Sequence, residues 1–221
     1  GLDGIEWGGD VHAQPGDLEA ARRIRSLTEP AGRLIPSYGS YYRCEPGEDF
    51  QATLATTREL GATVIRVWAG KKGSDEADDA YRREIAGELG KAVEAAAGHG
   101  ITVALEYHGK TLTDTQDSAH RLLEEVGDSR LKLYWQPRSG GTVEGDLEEL
   151  RAALPHLSHV HVFHWGPGGF NEKLPLAEGV EPWSRYLELI RQAEGDRFLM
   201  FEFVKDGEPG QLRADAKVLK E

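Results

Sequence analysis

Short apolar runs alternate with amphipathic stretches along the whole chain. The clearest run, Ile101-Thr-Val-Ala-Leu-Glu-Tyr-His-Gly109, is short, β-branched and bounded by glycines, which predicts a buried strand. Gly61-Ala-Thr-Val-Ile-Arg-Val-Trp-Ala-Gly70 has the same layout, so the two read as one repeated structural unit. Further strands are expected at 4–8, 34–42, 131–137, 159–165 and 197–204. Between them lie helical stretches. Asp17 caps one that runs to about residue 27 before Pro30, and Gly61 closes another over 48–60. Residues 75–97 carry Ile85, Leu89, Ala92, Val93 and Ala96 at helical spacing, and 113–126 carry Ala119, Leu122, Leu123 and Val126 on one stripe. Leu147, Leu150 and Leu154 mark a helix that stops at Pro155. Trp183, Tyr186, Leu187 and Ile190 mark the next, and Leu212, Ala216 and Leu219 a closing one.

Alternation of this kind predicts parallel β/α units. No linker or composition shift divides the chain, so 1–221 reads as a single domain. Seven strands suit a TIM (β/α) barrel that lacks its first β/α unit. The alternative is a doubly wound open sheet, but no Gly-x-Gly-x-x-Gly turn follows the first strand. Gly166-Pro-Gly-Gly169 opens no helix and reads as a plain loop. A barrel without its first strand leaves edges at 4–8 and 197–204. Direct pairing, a second copy in a homo-oligomer, or an N-terminal part outside this sequence would each cover them.

Composition narrows the function. The 221 residues carry 38 acidic and 26 basic side chains, a formal charge of −12, which argues against a nucleic-acid partner because such affinity comes chiefly from Lys and Arg. A single cysteine, Cys44, excludes an intrachain disulfide and fits a reducing, cytoplasmic setting. No apolar run approaches the roughly 20 residues of a membrane span.

Chemistry in a β/α barrel gathers at the C-terminal strand ends. Here those ends offer Glu106, Gln136, His161 and Glu202, each interrupting an apolar run. Two carboxylates, an amide oxygen and an imidazole suit Mn²⁺, Mg²⁺, Co²⁺ or Zn²⁺. Glu202, inside Phe-Leu-Met-Phe-Glu-Phe-Val, is hardest to explain without a partner, because a charge among such neighbours is desolvated. His161 is one of three histidines in six residues, with His159 on its face and His164 on the other. His108 leaves its strand on the same face as Glu106. Trp68 sits at a strand end and is a further candidate for substrate binding. His12 and Lys205 are rim candidates for substrate binding. Arg66 is a candidate clamp for a substrate anion. Aligning the two Gly-x-Thr-Val strands, however, sets Arg66 opposite Leu105 and Val67 opposite Glu106, and so turns Arg66 away from the site.

The strings Leu-Glu-Tyr-His-Gly-Lys-Thr-Leu-Thr-Asp-Thr (105–115), Leu-Tyr-Trp-Gln-Pro (133–137), His-Val-His-Val-Phe-His-Trp (159–165) and the late Phe-Glu-Phe-Val resemble the sugar phosphate isomerase/epimerase family. That family has the xylose-isomerase-like TIM barrel. The resemblance covers nearly the whole chain. It implies a divalent metal held by Glu106, Gln136, His161 and Glu202, with Gln136 standing where the common pattern has Asp. It further implies that Glu106 and Glu202 trade a proton next to a carbonyl, isomerising or epimerising a sugar or polyol. A lyase or dehydratase acting on a cyclic polyol or glycoside, and a non-catalytic sugar-binding barrel, are the alternatives. An abasic-site nuclease is disfavoured by the acidic balance.

Overall fold

The computed structural model describes all 221 residues. They form two compact units: Asp3–Leu133, and Tyr134–Glu221 together with Gly1–Leu2. No helix is long and apolar enough to cross a membrane.

The first unit alternates strand and helix: β1 (Trp7–Gly8), α1 (Leu18–Thr28), β2 (Ser37–Gly39), α2 (Phe50–Leu60), β3 (Val64–Val67), α3 (Asp79–Ala97), β4 (Thr102–Glu106) and α4 (Gln116–Val126). Each helix starts on a side-chain cap. Asp17 accepts from the Ala20 amide at 2.9 Å, Asp49 from Ala52 at 3.1 Å, Asp78 from Tyr81 at 2.8 Å and Thr115 from Ser118 at 3.3 Å. Gly61 ends α2 in the left-handed conformation, φ 76°, where any other residue would be strained. The strands pair in parallel in the order β1–β2–β3–β4. One sheet face meets the helices through Ile35, Tyr38 and Leu60, which cluster with Ala13, Ala21 and Ile24. There Tyr38 is fully buried and donates its hydroxyl to the Ala13 carbonyl at 2.6 Å.

β5 (Lys132–Trp135) carries the chain into the second unit, followed by α5 (Val143–Ala153), β6 (Leu157–Val162), β7 (His164–Gly166), β8 (Gly169–Leu174), α6 (Val180–Ile190), β9 (Leu199–Phe201) and α7 (Pro209–Lys220). β6 and β9 pair in parallel, Val160 with Leu199, His161 with Met200 and Val162 with Phe201. Trp135 is fully buried and meets Tyr186 and Trp183 of α6 edge-on, at 5.1 and 6.4 Å.

Two expectations need correction in this unit. The strand expected over 159–165 breaks after Val162, because the Phe163 carbonyl accepts from the Trp183 indole at 2.9 Å and leaves the ladder. The expected Gly/Pro loop is the turn of an antiparallel hairpin, β7–β8, with Gly169 at φ 60°. A Cβ on Gly166 would come within 2.4 Å of the Glu172 side chain, so any larger residue there requires that exposed side chain to move.

Candidate functional site

In the first unit, register decides which side chains share a face. Gly8, Gly39, Arg66 and Ala104 lie in one row across the four strands. With period two, Glu6, Ser37, Arg66, Trp68 and Glu106 all leave on the face opposite the helices. This overturns the expectation for Arg66. It pairs with Ala104, and Val67 with Leu105, one residue away from the register that the matching Gly-x-Thr-Val strings suggest. Neighbouring strands of a barrel are staggered, so equal positions in a repeat do not fall opposite each other.

Arg66 is consequently at the centre of a buried charge cluster. Its Nη1 is bonded directly to Glu106 Oε2, and its Nε lies 3.5 Å from Glu6 Oε1. Glu106 is 1% exposed, so its charge is compensated by contacts rather than water. The Trp68 indole donates to the same Oε2 at 2.6 Å, and Ser37 donates to Glu6 Oε2 at 2.5 Å. The Thr113 hydroxyl fixes the Glu106 carbonyl at 2.6 Å. Around this cluster, Trp68 stacks near His108 with ring centroids 4.4 Å apart, and the Arg43 guanidinium lies 4.3 Å from the Trp68 centroid. His108 Nδ1 is 2.7 Å from the Gly109 carbonyl. A carbonyl only accepts, so Nδ1 carries a proton and Nε2 is left to face the site. Tyr41 meets Trp68 edge-on at 5.0 Å, and burial together with a hydrogen bond to Asp10 holds its phenol above the ordinary value. His12 is exposed beside Trp7, with ring centroids 5.1 Å apart.

In the second unit the same alternation puts Tyr134 and Gln136, His159 and His161, and Met200 and Glu202 on one face. His161 is the hub. Its Nδ1 lies 2.7 Å from Gln136 Oε1 and 3.2 Å from Glu202 Oε2. The 2.7 Å contact is a hydrogen bond in which Nδ1 donates to the amide oxygen. The 3.2 Å separation from Glu202 falls within the roughly 3.0–3.4 Å between adjacent ligand atoms around a divalent ion with bonds of about 2.1 Å. The Tyr134 ring packs edge-on to His161 at 5.3 Å and holds the imidazole plane. His161 is 3% exposed, while the Glu202 side chain is 28% exposed and reachable. His159 does structural work, accepting from the Phe198 amide at 3.3 Å. Lys205 opens a short 3-10 turn three residues after Glu202.

Glu6 is the member of the buried charge cluster that sequence reasoning passed over. Its signal was a single carboxylate between Ile5 and Trp7, in a strand too short to show a pattern. Of the other aromatic residues near strand ends, Tyr38 and Trp135 belong to helix-facing cores.

Comparison with known proteins identifies the family. The model of the xylose isomerase-like TIM barrel family matches residues 1–221. A 3-dehydroshikimate dehydratase from Bacillus anthracis is 27% identical over 99% of this chain and 87% of its own length. An L-ribulose-5-phosphate 3-epimerase, UlaE, from Escherichia coli is 25% identical over 80% of this chain, and the match spans 63% of that protein. Among solved structures, the probable 3-DHS dehydratase AsbF from Bacillus anthracis superposes with a TM-score of 0.79 at 24% identity, covering 100% of this chain and 89% of that one, a likeness of fold. The chain belongs to the xylose isomerase-like TIM barrel family.

Proposed function

We propose that this chain is a divalent-metal-dependent enzyme that removes a proton next to the carbonyl of a small polyhydroxylated substrate, a sugar or polyol. The observation that carries the reading is His161, a buried imidazole whose Nδ1 faces the Gln136 amide oxygen at 2.7 Å and the Glu202 carboxylate at 3.2 Å. Glu106 completes the proposed set of Glu106, Gln136, His161 and Glu202. The cation, Mn²⁺, Mg²⁺, Co²⁺ or Zn²⁺, would act as a Lewis acid on the substrate oxygens. With Gln136 in place of Asp the set holds two carboxylates rather than three, so the ion is held less tightly and exchanges more readily.

The chain's own groups supply the rest. Glu106 and Glu202 act as the acid/base pair, one taking the proton from carbon and the other returning it; positioned groups of this kind contribute about 10²–10⁴-fold each. His108 offers its Nε2 to a substrate hydroxyl, and Trp68, stacked beside it, offers an apolar wall to C–H groups. His12 and Lys205 supply polar or cationic contacts for a substrate oxygen, while Arg66, the other candidate for that role, is held between Glu106 and Glu6. Proton return makes the enzyme an isomerase or epimerase.

A second reading has its own support. The dehydratase relative matches 99% of this chain, and the same first step followed by loss of a β-hydroxyl yields a dehydratase. Product analysis in D₂O separates them. An isomerase returns a product of unchanged composition with solvent deuterium on carbon, whereas a dehydratase returns a product lighter by one water. Glu106→Gln and Glu202→Gln should each lower turnover at least ~10²-fold with the fold intact. Near-wild-type turnover in either variant would end the two-carboxylate scheme.

A further inference from the structure

We propose that Glu6 is a positioning residue. Through Arg66 it sets how strongly the Glu106 carboxylate is neutralised by the guanidinium, and so how well Glu106 accepts a cation. The inference rests on the reading of Glu106 as a ligand.

Three observations point to it. Arg66 is shared: Nη1 bonds to Glu106 Oε2 while Nε faces Glu6 Oε1 at 3.5 Å. Glu6 is itself aimed, because Ser37 donates to its other oxygen at 2.5 Å. The backbone beside the pair is kept open, since a Cβ on Gly39 would stand 2.8 Å from Glu6 Oε1 and 3.0 Å from Arg66 Nη2. The side chains of Glu6, Arg66 and Glu106 are only 17%, 9% and 2% exposed, so their interaction is weakly screened.

The physical consequence follows from charge. A guanidinium on a metal-ligating carboxylate competes with the ion for the same electrons and repels it. A second carboxylate on the other side of that guanidinium takes up part of its charge. Without Glu6, more of the Arg66 charge falls on Glu106, and a cation arriving there meets a stronger positive field. Without Arg66 the competitor is gone. The two removals therefore move cation affinity in opposite directions, which a purely structural cluster would not do.

The test is Mn²⁺ titration, followed by electron paramagnetic resonance, of the wild-type chain and of Glu6→Gln, Glu6→Asp, Arg66→Met, Glu6→Gln/Arg66→Met and Glu106→Gln, with circular dichroism to verify folding. Glu6→Gln should weaken Mn²⁺ binding at least ~10-fold, an unscreened charge at this range being worth that much. Glu6→Asp should restore most of it, and Arg66→Met should bind at least as tightly as wild type. Because Arg66→Met leaves two carboxylates without their shared partner and is the variant most prone to misfold, the double variant gives the same answer by recovering the affinity lost in Glu6→Gln. Unchanged binding in Glu6→Gln overturns the inference. So does a double variant as weak as Glu6→Gln. If Glu106→Gln abolishes binding while Glu6→Gln does not alter it, only the Glu6 inference fails. If Glu106→Gln binds like wild type, the ligand assignment fails as well.

Discussion

Gln136 is the position where one atom changes the most. Its Oε1 faces the His161 imidazole at 2.7 Å, and an aspartate there would add a charge to the proposed ligand set, which holds two carboxylates. Gln136→Asp should tighten divalent-ion binding about tenfold or more, since ligand charge count sets affinity in oxygen-rich sites. Isothermal titration with Mn²⁺ checks it, and unchanged affinity would show that Gln136 is no ligand. Acid–base behaviour offers a second test away from the site. Burial pushes the Asp146 and Glu149 carboxyls above their ordinary values, with Arg138 beside both opposing the rise. A carboxyl raised on folding contributes stability that is fully present below its unfolded value and lost as pH rises through the folded one. Asp146→Asn and Glu149→Gln should therefore gain on the wild type in thermal melts at pH 7–8 and lose that gain near pH 4. A difference that stays flat with pH would contradict it. Glu106, His161 and Glu202 were picked out as candidates in the sequence because each charge or imidazole interrupts an apolar run; the desolvation expected of Glu202 does not occur, because its side chain is 28% exposed. Glu6 was not picked out, since Gly4-Ile-Glu-Trp-Gly8 is too short to show which side of the chain is buried.

At the scale of elements, the helices were readable because their ends are written in side chains. Asp17 was read as such a cap; Asp49, Asp78, Thr115 and Thr142, not singled out in the sequence, likewise each accept an amide three residues on. Asp49→Ala should cost about 1 kcal/mol by chemical denaturation. Leu89→Ala, which empties a fully buried position of α3, should cost ~2–5 kcal/mol. The reverse order of these two losses would contradict the account of what holds the first unit. The strands were less legible. Pairing register depends on stagger between neighbours, which no single strand encodes, and the face of Arg66 was misread for that reason. The β7–β8 hairpin was missed because Phe170-Asn-Glu-Lys shows no alternation of apolar and polar residues and is mostly exposed, so neither face announces itself.

For the whole molecule, the alternation of strands and helices and the strings at the strand ends sufficed to identify the family, and the family model matches the full chain. The substrate was not legible. A proton taken from carbon next to a carbonyl leads either back to an isomer or onward to a dehydrated product, and the two relatives described above, a dehydratase and an epimerase, represent both ends. What decides between them is the leaving group on the substrate and the side chains around it, which a fold does not specify. The proposal that both fates share is the cation. Anomalous diffraction at the manganese edge, from crystals grown with Mn²⁺, tests it most directly. The account predicts one strong peak with Glu106, Gln136, His161 and Glu202 as its protein ligands; no peak at His161 and Glu202, or a peak held by other residues, would contradict it.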